Sequence, residues 1–402
     1  MEKKWTRKFD TITFLRAFFL LFFTICILIY PNISLDAAKK GFILWSTVVF
    51  PALLPFFVLS DLLIKYGIVR FLGIFLEPII GPLFKVSGVG GIIFTLSVVS
   101  GFPNGARMAT QLYQDGVLTK DEAERIATFS NFSNPIFILG AISIGMFGNI
   151  RLGIALLMIH IFSNVIVGIL FGIGKKRPYR THNFKQLVQN EWTELQNVSN
   201  QKESFGFLLS NAVHTAVQTL LMIGGLIMVF AVINALLKAS YITPLFTHII
   251  TTVFPFFEEN YIEVTITALL EVTIGLKHLS EISPPVLFNQ LILCASLLAF
   301  NGFSVHAQVA GVLATENLRY KPFFIGRILQ TGISALLVIL LFKPVLYPYI
   351  ADKTTTAFLP VADRILSEHA YIFSPQITVI SFSITMITLL YFTYQKIYRQ
   401  KK

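Results

Sequence analysis

The sequence predicts an all-α, polytopic membrane fold, and three observations predict it. Of 402 residues, 54% are hydrophobic and 13% charged, where a soluble domain carries about 25% charge; the mean hydropathy is +0.71. The net charge of +11 is confined to three places: residues 1–10 carry +2, 174–185 carry +5 and 396–402 carry +4, which is the whole surplus. Short apolar segments broken by Gly, Pro and Asn recur in both halves of the chain. Two cysteines, Cys26 and Cys294, both within apolar stretches, form neither a zinc site nor a disulfide framework and read as packing residues.

Each basic cluster flanks a long apolar segment, so the positive-inside rule places the N-terminus, the 174–204 linker and the C-terminus in the cytoplasm. The same location argues against nucleic-acid binding. In the 343–375 loop Lys343, Lys353 and Arg364 are balanced by Asp352, Asp363 and Glu368, as expected of an outward-facing segment.

In chain order, residues 1–40 hold a basic head and an apolar run, 11–30, long enough for a full span and with no small-residue cleavage site before Pro31, hence an uncleaved anchor. Residues 41–173 form a first repeat with candidate spans 41–64 and 151–173. Between them, residues 88–99 are apolar but reach only about 18 Å across a core of about 30 Å. The run Ser100-Gly101-Phe102-Pro103-Asn104-Gly105-Ala106-Arg107 should interrupt the helix there. A further break is expected at Ser130-Asn131-Phe132-Ser133-Asn134-Pro135, whose polar side chains would line a cavity or form an interfacial turn. After the basic linker 174–204, residues 205–342 form a second repeat with spans 207–238 and 322–342 and a short segment, 286–300, running into Asn301-Gly302-Phe303-Ser304-Val305-His306-Ala307-Gln308. Residues 343–402 supply the outward loop and a last span, 376–395.

Gly101-Phe102 and Ala106-Arg107 align with Gly302-Phe303 and Ala307-Gln308, Leu76-Glu77 with Leu270-Glu271, and Arg125-Ile126 with Arg327-Ile328. Their shared order points to a duplicated unit, and three crossings between the two breaks would make the repeats inverted, with 242–256 and 261–276 ambiguous. Broken helices in both halves point to a secondary transporter's binding site, because half-helix ends and freed backbone groups hold a polar solute. The plainer reading is two kinked structural helices with packed glycines.

The substrate-binding candidates are Ser100, Gly101, Phe102, Asn104, Arg107, Asn131, Asn134, Asn301, Gly302, Phe303, Ser304, His306 and Gln308. Arg107 would suit a carboxylate or would snorkel to the interface. Glu77 and Glu271, at matching repeat positions, would hold a coupling cation or proton, or pair with Arg107, Arg125 or Arg327. His160 with Asn164 and His214 with Gln218 read as helix-linking pairs. No catalytic residue, metal site or cofactor is expected: G-x-x-x-x-G-K-[ST], H-E-x-x-H, G-x-S-x-G and C-x-x-C are all missing, and Gly88, Gly90 and Gly91 lack a βαβ context.

With F-P-A-L-L-P-F-F at 50–57, L-E-P-I-I-G-P-L-F at 76–84, S-G-F-P-N-G-A-R at 100–107, S-N-F-S-N-P at 130–135 and N-G-F-S-V-H-A-Q at 301–308, the chain resembles the nucleoside-recognition (Gate) family, and within it the integral membrane proteins of sporulation. The resemblance implies a stage V sporulation role, moving dipicolinate from mother cell into forespore through the outer forespore membrane for cortex and core maturation. It also implies helical hairpins and a rocking or elevator motion. Arg107 would then meet an anionic pyridine dicarboxylate, with Phe102 and Phe303 stacked on its ring. The expected partners are that small anion and the lipid bilayer, with a homo-oligomer or sporulation membrane partners left open. Nucleoside transport, a membrane scaffold docking through the linker, and a lipid-modifying enzyme are the alternatives.

Overall fold

The computed structural model describes residues 11–135, 137–175, 192–193, 204–255 and 258–351, and no strand occurs among them. The basic N-terminus, most of the linker, most of the 343–375 loop and the 376–395 span lie outside the described residues. Among the described residues four helices are long and apolar enough to cross a membrane, namely Ile150–Gly172, Phe205–Ala239, Leu287–Ala314 and Lys321–Ile350; counting two bent pairs raises the number to six.

The first apolar run forms helix α1 (Thr11–Ile29) and meets α2 (Pro31–Leu44) at a bend of 103°. Pro31 excludes its predecessor from helical geometry, and Tyr30 sits at φ −119°, ψ 56°. From α2 the chain continues through a π-helical turn, Trp45–Val49, into α3 (Phe50–Lys65). The expected 41–64 span is therefore part of a longer helical run that crosses the expected boundary at residue 40. Pro51 and Pro55 remove two backbone donors beside the π turn. This run lies antiparallel along α9 (Phe205–Ala239), which at about 1.5 Å per residue is about 52 Å long. The backbones come close because Gly41 faces Met228, whose Cα would lie 3.0 Å from an added Cβ, and Trp45 covers Gly224 while its indole donates to Leu220 O at 2.9 Å. Together α2, α3 and α9 make a wall.

The remaining helices form a core against that wall. For orientation, the linker end is where α8 (Ile150–Gly172) stops and α9 begins. Helix α4 (Ile68–Phe84) turns back at Lys85 into α5 (Gly88–Ser100), with Gly91 pressed against Ile80. In α7 (Lys120–Phe129), Glu122 accepts from Ser87 N at 2.5 Å and Arg125 donates to Phe84 O and Lys85 O at 3.2 and 3.0 Å, so α5 and α7 both start at the linker end, where Asp121 meets Lys175. Between them α6 (Asn104–Gln114) begins beside Ser130 and returns to that end. Helices α5 and α6 are thus a re-entrant hairpin with its tip at Gly101–Pro103. The polypeptide then crosses through α7, the non-helical residues 130–134 and a π-helical segment, Phe137–Met146, and recrosses through α8.

The second half repeats this order from the far end. After α10 (Ile242–Val253), α11 (Glu259–Leu270) and α12 (Val272–Glu281) fold back on each other at Glu271, with Gly275 against Ala268. Then α13 (Leu287–Phe300) and α14 (Gly302–Ala314), interrupted at Asn301, run almost as one helix toward the linker end. Helix α15 (Lys321–Leu341) returns, pairing its end with the start of α13 through Phe342 and Phe288. Hairpin, broken span and intact span thus occur twice in opposite directions.

The repeats are inverted, but the residue matches drawn from sequence were misregistered. Gly101-Phe102 lies at a hairpin tip, whereas Gly302-Phe303 lies in a nearly straight span. The counterpart of the 100–107 turn is Glu271, and that of Asn301 is the 130–135 break. Glu77 sits inside α4 and is not equivalent to Glu271; its side chain lies outside the described residues.

Glycine sets the closest approach in the core. A Cβ on Gly105 would stand 1.8 Å from Ser130 O, a backbone atom that cannot rotate away. Gly105→Ala should therefore cost about 1–3 kcal/mol, read as a lower unfolding temperature in detergent.

Candidate functional site

Two hairpin tips and two helix breaks meet midway between the ends. Phe102 N donates to Phe132 O at 2.7 Å, tying the first tip to the first break. Gly101, at φ +80°, holds its Cα against Asn134, where an added Cβ would lie 2.7 Å from that side chain's Cβ. Ser133 Oγ donates to Asn301 Oδ1 at 3.3 Å, tying break to break. Gly302, at φ +69°, leaves room for Ala268 O and Val272 N of the second tip.

These contacts surround a cavity of about 170 Å³ between core and wall. Leu44, Val49, Leu53, Ile223 and Ile227 form its wall side, all aliphatic. The core side supplies the polar groups, Asn134, Glu271, Thr273, Ser304 and Gln308, with Phe102 and Phe137 between them. Ser304 Oγ and Gln308 Oε1 are buried without a hydrogen-bond partner in the protein. Glu271 is 3% exposed and caps α12, its Oε2 accepting from Ile274 N at 2.9 Å and its Oε1 from Thr273 Oγ1 at 3.3 Å. Among the described residues no arginine or lysine lines the cavity, so an anion there would face the uncapped N-terminus of α14 rather than a guanidinium.

Of the expected residues, Gly101, Phe102, Asn134, Ser304, Gln308 and Glu271 line the cavity. Arg107 does not. Its Nη1 binds Asp61 at 2.6 Å, its Nε donates to Asn104 Oδ1 at 3.1 Å and its Nη2 to Phe57 O at 3.2 Å, all buried, over the Phe57 ring. Asn104 also donates to Ser60 and Ser100, so Ser100 and Asn104 build this support rather than the cavity. The expected anion contact is thereby corrected: the charge is spent joining α6 to α3. Phe303 is 42% exposed, packs edge-on to Phe300 and cannot stack on a solute in the cavity. His306 is turned away, with Nδ1 against Tyr320 Oη and Nε2 against Phe300 O. Asn131, Asn301 and Gly302 shape the breaks.

Arg327 is fully buried and pairs with neither Glu77 nor Glu271 among the described contacts. Its guanidinium donates to Thr128 O, to Asn131 O at 3.2 Å, to Asn164 Oδ1 at 2.9 Å, to Gln330 Oε1 and, at 3.5 Å, to Ala299 O. The carbonyls orphaned where α7 and α13 stop receive their donors from this one side chain. Arg125 does the same for the end of α4, with Asp121 as its carboxylate partner. His160 and Asn164 do link elements, through Ser133 N at 3.0 Å and Asn131 O at 3.1 Å. His214 and Gln218 are both exposed on α9, with no link to another element among the described residues.

Sequence reasoning missed Asp61, Thr273 and the wall residues. Asp61 carried a signal, as an acidic residue within the apolar run 41–64.

The profile of the Gate family, described as nucleoside recognition, matches residues 46–150, from the wall through the first hairpin and the first break. The chain is 41% identical over 341 residues to the sporulation integral membrane protein YlbJ of Bacillus subtilis (strain 168), covering 83% of both proteins. It is also 32% identical over 117 residues to an uncharacterised protein of Alkalihalophilus pseudofirmus, covering 28% of this chain and 25% of that one. No solved structure matches it.

Proposed function

We propose a transport function for this chain, which belongs to the family of the sporulation integral membrane protein YlbJ: it carries a small planar organic anion, dipicolinate, from mother cell to forespore through the cavity between core and wall. The observation that carries the reading is that two inverted sets of hairpin tip and helix break converge on one polar-sided cavity. A flat aromatic acid suits it: Phe102, Phe137 and the aliphatic wall offer apolar contact to a ring. The N-terminal turn of α14, which no side chain caps, presents backbone N–H groups toward its carboxylates. The role is transport rather than catalysis, and the outer forespore membrane is its proposed location.

Transport of a nucleoside or similar neutral solute is the second reading. Glu271, Asn134 and Gln308 on one side of the cavity favour it, because they supply acceptors for hydroxyl and N–H donors. Both readings are tested by uptake of labelled dipicolinate and labelled uridine into liposomes holding the full chain. Uptake of dipicolinate alone is expected. Ala141→Phe, which places a ring in the cavity, should abolish that uptake and leave the protein folded; uptake at the wild-type rate would show that the solute passes elsewhere. A wild-type protein that moves neither solute would favour the scaffold reading.

A further inference from the structure

The transport reading leaves one charged side chain in the cavity without a counter-charge. Glu271 is buried, and its hydrogen-bond partners are the N–H of Ile274 and the hydroxyl of Thr273, both in the helix it caps. Among the described residues it is the one ionisable group lining the cavity. The ionisable groups of the surrounding elements are engaged or lie away from it. Lys238 pairs with Glu263 and Lys277 with Glu281. Glu258 and Glu259 are exposed where α11 starts, His214 and His248 are exposed on α9 and α10, and half-buried His278 stands in the last turn of α12. His306 faces Tyr320, and Arg327 faces the breaks. A buried carboxylate without a fixed cation requires a mobile one. Ser304 Oγ and Gln308 Oε1, each 1% exposed and unpartnered, border the same space.

Oxygens at a helix break are the natural ligands for an inorganic cation. Here Thr128 O, Asn131 O and Asn164 Oδ1 already surround a guanidinium. A permanent tethered charge fills that place, and it repels a second cation.

We propose that Glu271 takes up a proton on one side of the membrane and releases it on the other with each solute moved, and that Arg327 stands where a sodium ion would otherwise bind. Resting on the transport reading, this names the coupling ion of the same cavity. The proton bonds to a carboxylate oxygen, cancels the lone charge in the cavity while the solute is held, and returns to water when the solute leaves.

The test uses the full chain in liposomes, with dipicolinate and uridine as probes, a dye reporting internal pH, and sodium replaced by choline in parallel. The expected result is solute uptake with a fixed proton-to-solute ratio, equal in sodium and choline. Glu271→Gln should lose the proton flux per solute moved, whatever solute rate remains. Glu271→Asp should keep the ratio with a displaced pH profile, and Gln308→Leu should lower uptake with the ratio unchanged. Solute uptake without proton movement, a requirement for sodium, or an unchanged ratio in Glu271→Gln would each overturn the proposal and leave the transport reading standing. Wild-type protein that moves neither probe overturns both.

Discussion

Replacing Arg107 with Ala is expected to remove most of the folded protein, because it strands the Asp61 carboxylate, 1% exposed, in an apolar interior. Breaking one side of a buried ion pair costs about 3–5 kcal/mol. The loss also removes the guanidinium from Asn104 Oδ1 and Phe57 O, so the attachment of α6 to α3 is reduced to the bond from Asn104 Nδ2 to Ser60 Oγ. Arg107→Lys should recover little, since an ammonium cannot reach three acceptors arranged around a planar fork. The informative variant is Arg107→Met combined with Asp61→Asn, which removes both charges together. Abundance and unfolding temperature in detergent should return toward wild type in the double variant, and dipicolinate uptake with them. Recovery of protein without uptake would return Arg107 to the solute.

Arg327→Met should be more damaging still. The side chain satisfies carbonyls at the ends of two interrupted helices, and each buried polar group left unpaired costs about 1–3 kcal/mol. Thr128 O, Asn164 Oδ1 and Gln330 Oε1 would lose the guanidinium donor, and Asn131 O would keep its bond from Asn164 Nδ2 alone. No compensating change of a carboxylate is available, because the described partners are neutral, so a second substitution of the kind that rescues Arg107 should fail here. The expected observation is an aggregated profile in size-exclusion chromatography. A monodisperse Arg327→Met protein would mean that water can replace the guanidinium between the breaks.

The intact spans were legible because length and hydropathy suffice for them: the 151–173 and 322–342 segments emerge as Ile150–Gly172 and Lys321–Leu341. The 100–107 and 130–135 breaks were legible because Gly, Pro and Asn remove donors or favour conformations outside the helix. Pairing the two halves was not. A glycine followed by phenylalanine marks a place where a helix stops, and such places need not correspond, so Gly101 and Gly302 aligned without being equivalent. The second hairpin escaped notice because its tip is one residue, Glu271, flanked by Leu270 and Val272 without Gly or Pro. Only the carboxylate, capping the helix that follows, marks the reversal. Arg107 was visible as a charge at membrane depth, but its partner lies 46 residues earlier on another helix, a distance no local pattern spans.

The division of the cavity between its two sides has a mechanical consequence. Leu44, Val49, Leu53, Ile223 and Ile227 meet a solute with methyl groups alone, while Asn134, Thr273, Ser304 and Gln308 all belong to the other body. A molecule held there is fastened to the core and merely rests on the wall. Dispersion contacts of about 0.1–0.2 kcal/mol per atom pair have little directional preference, so sliding exchanges one set for a similar one. Hydrogen bonds, by contrast, would have to break and reform at each step. On the proposed transport reading, the aliphatic face would therefore serve as a bearing surface, along which the fastened solute could travel without loosening its grip.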